Sequence, residues 1–343
     1  MTVKVTKPAI NVREELADLR KPTGIAGEAM LRAETPQEQF NLIGAGRRNW
    51  VINGDFQVSQ RGDYTTAAVN VSSGTYCVDR FKQYISNVNA TIQRTNNYPP
   101  NANYGNSLKI TSTSASATGY IDILQYVEFH PAFVGKEMTV SCWMKSNNQN
   151  AQIRVTVGGQ MATKNHSGNG EWEFITTTFT HPNGNTNNIG LEFITYDNGG
   201  VTVASGDYME IAQVQLEVGK VATPFEHRSY GEELALCQRY FEAYSGASSS
   251  GYMPMGMAWT TNEPRFDIRY LEKRVAPTIS LKSGSTLKSY NAGSGTEHTW
   301  STFNVDDATT KTALIYGNNS MAATQGYAIQ TRLIGNIFID AEL

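Results

Sequence analysis

A chain of 343 residues is long enough for two or three domains with cores of their own. Only 17% of it is charged, its formal net charge is −3, and no segment concentrates Lys or Arg, which disfavours nucleic-acid binding. No run approaches the roughly 18 apolar residues of a membrane span, and Met1-Thr2-Val3-Lys4 lacks the apolar stretch of a signal peptide. Neither membrane insertion nor export by such a signal is therefore expected.

Residues 1–48 read differently from the rest. Asn11 can cap a helix with Glu14 as its reciprocal partner, and Val12, Leu16 and Leu19 form one apolar stripe. Thr35-Pro36-Gln37-Glu38 starts a second short helix, with Phe40 as its apolar contact. Helices this short cannot bury their stripes alone, so Val12, Leu16, Leu19 and Phe40 are expected assembly residues of an anchoring segment.

From Trp50 the signal becomes β. Asn49–Phe56 reads as a strand entering an Asn-Gly turn. Further strands are expected at Tyr76–Tyr84, Ala90–Arg94, Ser107–Thr111, Tyr120–Phe129, Met138–Met144, Gln152–Val157, Trp172–Thr180, Ile189–Thr195 and Tyr208–Val218. Met138, Val140, Cys142 and Met144 alternate cleanly and should share one face. So many strands with little helix between them predict an all-β, two-sheet sandwich over 49–228. A smaller β-sandwich domain is expected over 229–343. Tyr230–Phe241 could be a short helix or a strand lead-in. Strands follow at Arg265–Tyr270, Pro277–Lys282, Glu297–Asn304, Ala313–Tyr316 and Tyr327–Ile339, with Gly/Ser-rich loops at 245–260 and 283–298.

Little in the chain points to catalysis. Cys77, Cys142 and Cys237 follow no metal or redox spacing and are expected to be buried thiols, and the five histidines show no metal spacing. Glu171 and Glu173 flank Trp172 and would share a strand face, the one carboxylate pair suggestive of glycoside hydrolysis. Asp197, Asn198 and Asp207 could contribute oxygen ligands to calcium, though their spacing does not single them out. No catalytic residue, cofactor or metal site is assigned.

Two segments are distinctive: Asn53-Gly54-Asp55-Phe56 with Gln60-Arg61-Gly62, then Tyr76-Cys77-Val78-Asp79-Arg80-Phe81. A third is Gln213-Val214-Gln215-Leu216-Glu217-Val218-Gly219 running on to Pro224-Phe225-Glu226-His227-Arg228. Together they resemble a family of bacteriophage tail-fiber and tail-associated proteins. The resemblance implies a jelly-roll sandwich like those of carbohydrate-binding modules and a homotrimer in the virion tail. It also implies synthesis in the host cytoplasm and attachment to phage tail or baseplate proteins through residues 1–48. The expected function is recognition of host-surface polysaccharide or lipopolysaccharide. A passive tail adaptor and a capsule-degrading glycosidase or lyase are the alternatives. The residues themselves read as scaffold, with Arg61 set against a carboxylate and Asp79 beside Arg80 supplying paired charges. Recognition is expected in residues 245–343, through Tyr252, Trp259 and Tyr290 on or beside polar loops.

Overall fold

The computed structural model describes residues 48–100, 102, 105–196, 201–245, 255–291, 296–319 and 328–343. The expected N-terminal helices, with Val12, Leu16, Leu19 and Phe40, lie outside the described residues, as does Tyr252.

The alternation of apolar and polar residues becomes two antiparallel sheets. In chain order the strands are β1 (Val69–Asn70), β2 (Thr75–Tyr76), β3 (Lys82–Ser86), β4 (Ala90–Thr95), β5 (Ser107–Ser112) and β6 (Ser116–Val127). Then come β7 (Glu137–Ser146), β8 (Ala151–Thr156), β9 (Gln160–Asn165), β10 (Trp172–Thr180), β11 (Ile189–Thr195), β12 (Val201–Val203) and β13 (Tyr208–Val218). The first sheet has the order β1-β4-β5-β13-β7-β10, and the second β2-β3-β6-β11-β8-β9 with β12 added beside β6. Met138, Val140, Cys142 and Met144 are all fully buried between the sheets, as their spacing requires. Phe56 and Phe81 pack at 4.8 Å in the same core, each worth roughly 1.5–3 kcal/mol of burial. The architecture is an all-β sandwich of jelly-roll type.

Asn49–Phe56 is not a strand. Asn53 and Phe56 take left-handed backbone angles, φ 63° and 57°, and Asn53 replaces ladder bonds with its side chain. Its Nδ2 donates to the carbonyls of Val58 and Asp79 at 2.8 and 2.9 Å, and its Oδ1 accepts from the Val58 amide. Gly54 is required because a Cβ there would stand 2.2 Å from the carbonyl oxygen of Val214.

After the sandwich, Ser229 caps helix α1 (Tyr230–Gln238), accepting from the Glu232 amide at 3.3 Å. Ten strands follow: β14 (Phe241–Ser245), β15 (Gly256–Thr260), β16 (Glu263–Arg269), β17 (Thr278–Leu281), β18 (Thr286–Asn291), β19 (Thr296–Thr299), β20 (Asn304–Asp306), β21 (Thr312–Tyr316), β22 (Ala328–Ile334) and β23 (Asn336–Asp340). They form a three-stranded sheet, β14-β23-β17, and a seven-stranded sheet, β19-β18-β22-β15-β16-β21-β20. Phe266, Ile268, Leu287, Ile315, Leu333, Ile337 and Ile339 join both sheets in one core.

Three expectations change here. Tyr327–Ile339 divides at Gly335, φ 98°, and its halves enter different sheets. Glu297–Asn304 likewise divides into the end of β19 and the start of β20. Parts of the loops expected at 245–260 and 283–298 are strands: β15 carries Trp259 and β18 carries Tyr290. Gly and Ser there do not prevent pairing, because Ala258 and Leu287 supply the buried face.

The distinctive motif residues bind the sandwich to these later strands. Arg61 stacks on Phe241, 3.5 Å from the ring centroid, and lies 3.2 Å from Glu342 and 3.4 Å from Asp340. Arg80, 1% exposed, ion-pairs with Glu342, donates to the Tyr126 carbonyl at 2.7 Å and lies 3.6 Å from the Tyr240 ring centroid. Gln60 donates to Asp79 and, at 2.9 Å, to the Phe241 carbonyl. Arg228 donates to the Val51 carbonyl at 3.0 Å and pairs with Glu233 at 3.3 Å. Arg61 lies against carboxylates as expected, but Arg80 pairs with Glu342, and its neighbour Asp79 faces Arg61 at 3.9 Å instead.

Candidate functional site

β6 alternates Ile121, Ile123 and Val127 toward the core with Tyr120, Asp122, Leu124 and Tyr126 on the outer face of the second sheet. The antiparallel register sets β3 on one side, with Tyr84 opposite Asp122 and Lys82 opposite Leu124. On the other side, Glu192 of β11 lies opposite Leu124 and Arg154 of β8 opposite Glu192. One face therefore carries Tyr84, Tyr120, Tyr126, Lys82, Asp122, Arg154 and Glu192. Tyr120 and Tyr126 are six residues apart on the strand, so the aromatic track is about 20 Å long.

Its polar groups are fixed. Arg154 grips Glu192 through two nitrogens, Nε at 2.7 Å, and Thr156 donates to the same carboxylate at 3.2 Å. The Arg154 guanidinium lies 5.0 Å from the Tyr196 ring centroid, and Tyr196 meets Tyr120 edge to face at 6.0 Å. Gln152 donates to the Tyr196 carbonyl. Asp122 is buried, and its Oδ1 has no hydrogen-bond partner. Burial, and then the nearby Glu192 carboxylate, hold the Asp122 carboxyl well above the usual range. Burial also raises Tyr120 and Tyr126, whose hydroxyls stay protonated donors.

The track opens at one end into a cleft of about 540 Å³ lined by Tyr126, Thr156, Gly158, Gly159, Gln160, Asn187, Asn188 and Leu343. Gly190 makes this junction possible. A Cβ there would stand 2.3 Å from Thr156 Oγ1 and 3.5 Å from the Tyr126 ring, so any larger residue would fill the crossing. Asn188 Oδ1 accepts from the Phe129 amide at 3.0 Å, and Asn185 Nδ2 donates to the Val157 carbonyl at 3.2 Å. The wall is thus held by its own amides.

Trp259 and Tyr290, named from sequence, share the outer face of the seven-stranded sheet. Tyr290 lies opposite Gln330 on β22, and two residues along Ala328 lies opposite Met257 on β15, beside Trp259. Trp259 is 50% exposed, with the Arg265 guanidinium 4.5 Å from its ring centroid. Glu171 lies just before β10, and Glu173 accepts from the Ser167 amide at 3.2 Å. Asp207 accepts from Asn148 and the Ala204 amide, and Asp197 and Asn198 lie outside the described residues. Among the described residues no group of three or more His, Cys, Asp or Glu side chains could hold a metal. None of their helices is long and apolar enough to cross a membrane.

The aromatic residues named from sequence, Tyr252, Trp259 and Tyr290, do not include those of this track. The visible signal was the alternation inside Tyr120–Val127, where Tyr, Asp and Tyr occupy the positions facing away from Ile and Val.

No protein-family model matches the chain, and no curated protein does. Among solved structures it is similar to the enzymatically active domain of tailspike protein 4 of bacteriophage CBA120. That likeness has 14% identity and TM-score 0.32 over 50% of this chain and 21% of the other. It is also similar to TmCBM61, solved in complex with β-1,4-galactotriose: 14% identity, TM-score 0.32, 50% of this chain and 100% of that one. A third is the family 11 carbohydrate-binding module of the cellulosomal cellulase Lic26A-Cel5E of Clostridium thermocellum. It has 10% identity and TM-score 0.28, over 46% of this chain and 98% of the other.

Proposed function

We propose that the protein is a non-catalytic glycan-binding component of a phage tail, a fiber protein that engages host-surface polysaccharide. The observation that carries the binding is the tyrosine track on the second sheet. Aromatic faces suit the C–H patches of sugar rings, and fixed Arg, Glu and amide groups suit hydroxyls. About 20 Å between the half-buried Tyr120 and Tyr126 suits a chain more than a single sugar. The motif resemblance supports the tail setting, the homotrimer, and the division into an anchor over 1–48, a sandwich over 49–228 and a distal domain over 229–343. Non-catalytic fits the chemistry of the track: Asp122 is too buried to reach a glycosidic oxygen, and Glu192 is held by Arg154.

A second reading places recognition on the distal domain. It is favoured by Trp259 and Tyr290 sharing one sheet face, with Tyr252 as a further proposed contact.

Point variants in the full chain decide between them. Adsorption of purified protein to host polysaccharide should fall about tenfold or more in Tyr84→Ala with Tyr126→Ala, given stacking worth ~1 kcal/mol per ring. It should hold in Trp259→Ala with Tyr290→Ala. The opposite pattern moves recognition to the distal domain. Sedimentation should give three times 37.7 kDa. Sustained depolymerisation that disappears in Glu171→Gln or Asp122→Asn would overturn the non-catalytic reading.

A further inference from the structure

The outer face of the first sheet, on the opposite side of the sandwich from the tyrosine track, holds a separate pocket of about 610 Å³. Its floor is a cross-strand aromatic pair. Trp143 of β7 lies directly opposite Phe174 of β10, with ring centroids 5.4 Å apart. Phe174 is 49% exposed, so one face of its ring is open to a ligand. The facing wall is the segment after β13, where Phe225 and His227 meet edge to face at 4.9 Å.

That wall is preformed. Glu217 accepts from both the Thr223 amide and its hydroxyl at 2.8 Å, and Gln215 Oε1 accepts from the Glu226 amide at 2.9 Å. If the segment swung away, buried Gln215 and Glu217 would keep only the 2.9 Å bond between them and lose their bonds to Thr223 and Glu226.

The backbone supplies a further sign. β13 carries an irregularity between Ala212 and Gln215, and Gln213 within it sits at φ 52°. A non-glycine residue in the left-handed region costs of order 1 kcal/mol and persists where the surroundings over-determine it. Here the bulge places Gln213 among the pocket-lining residues, where strict alternation would direct a neighbour of Ala212 inward. Ser141 and Thr223 add hydroxyls to the lining. Among the described lining residues there is no Asp, Glu, Lys or Arg, and His227 is the one titratable group.

We propose that this pocket is a second binding site, specific for one neutral pyranose unit. The Trp143–Phe174 platform takes the C–H face of the ring, while Gln213, Ser141 and Thr223 bond its hydroxyls. The proposal rests on the glycan-binding reading for its ligand class and on separate residues for its location. A volume of 610 Å³ falls within the ~300–1,000 Å³ of ordinary small-ligand pockets, and the missing fixed charges disfavour a uronate.

The test is saturation-transfer NMR on the full chain with methyl glycosides of glucose, galactose, mannose and rhamnose, and with methyl glucuronide, near neutral pH. At least one neutral glycoside is expected to bind, and the glucuronide is not. Affinity should fall about tenfold in Phe174→Ala, the equivalent of ~1.4 kcal/mol. It should fall similarly in Gln213→Gly, a change that relieves the backbone, so thermal stability should not drop. Tyr84→Ala with Tyr126→Ala should leave this binding intact. The site is refuted if no neutral glycoside binds, if binding survives both pocket variants, or if it follows the tyrosine variants instead. Failure of polysaccharide adsorption at the tyrosine track, with Phe174-dependent glycoside binding retained, would sink the track alone.

Discussion

Arg80→Met should destabilise the protein sharply, although the Arg80 side chain lines neither proposed binding site. The side chain is 1% exposed and Glu342, its partner, 3% exposed, so neither charge is hydrated. Removing one member of a buried pair costs ~3–5 kcal/mol, mainly through the charge left behind. Glu342 would keep Arg61 at 3.2 Å, which argues for the lower end, about 3 kcal/mol. In a chain of 343 residues, with an unfolding entropy of ~2.1 cal/mol/K per residue, each kcal/mol moves the melting temperature by ~1–2 °C, so a fall of about 3–6 °C is expected. Thermal unfolding by circular dichroism supplies the measurement, and a cycle with Glu342→Gln supplies the control. The double variant should be less destabilised than the sum of the singles, because the second change removes the stranded charge. Additivity within ~0.5 kcal/mol would show the two groups to be uncoupled and the reasoning wrong.

Three further outcomes are expected. Asp122 keeps its proton to higher pH in the folded state than in the unfolded chain, so its contribution falls as pH rises from ~4 through the folded value. Asp122→Asn should therefore gain stability relative to wild type as pH rises over that window, and a chemical-denaturation series showing the reverse slope would reject the assignment. Burial pushes Cys77 up to about 12 and raises Cys142 and Cys237, so a thiol reagent at neutral pH should modify none of them until guanidinium unfolds the chain. Rapid labelling of the native protein would contradict this. Gly54→Ala should cost about 3 kcal/mol, because the new Cβ meets the Val214 carbonyl while the Val214 amide donates to Gly54 at 2.8 Å. Unchanged melting would show that the loop can move aside.

The sandwich was legible because its strands alternate. Met138–Met144, Trp172–Thr180, Ile189–Thr195 and Tyr208–Val218 lie within or coincide with strands. β9, mostly exposed, was not legible, since it carries no apolar face to reveal its period. The break at Gly335 was hidden because β22 and β23 have the same apolar rhythm, and only the backbone turn separates them. The tyrosine track escaped for another reason. Tyr84, Asp122, Arg154 and Glu192 come from four strands, and nothing local in the sequence announces their register. The pocket under Phe225 depends on a bulge at Gln213, a feature that strict alternation cannot foresee.

The pairing of Arg80 with Glu342 spans 262 positions of chain, and it has a consequence for the order of synthesis. The strands of the sandwich leave the ribosome long before their buried arginine has its partner. Until residue 342 emerges, Arg61 and Arg80 lack a carboxylate that offsets their desolvation in the finished protein. The strands can pair around their own core before then, but the two buried arginines should reach their final pairing only late in synthesis. A chain that ends before residue 342 would leave Arg80 buried without the carboxylate it pairs with.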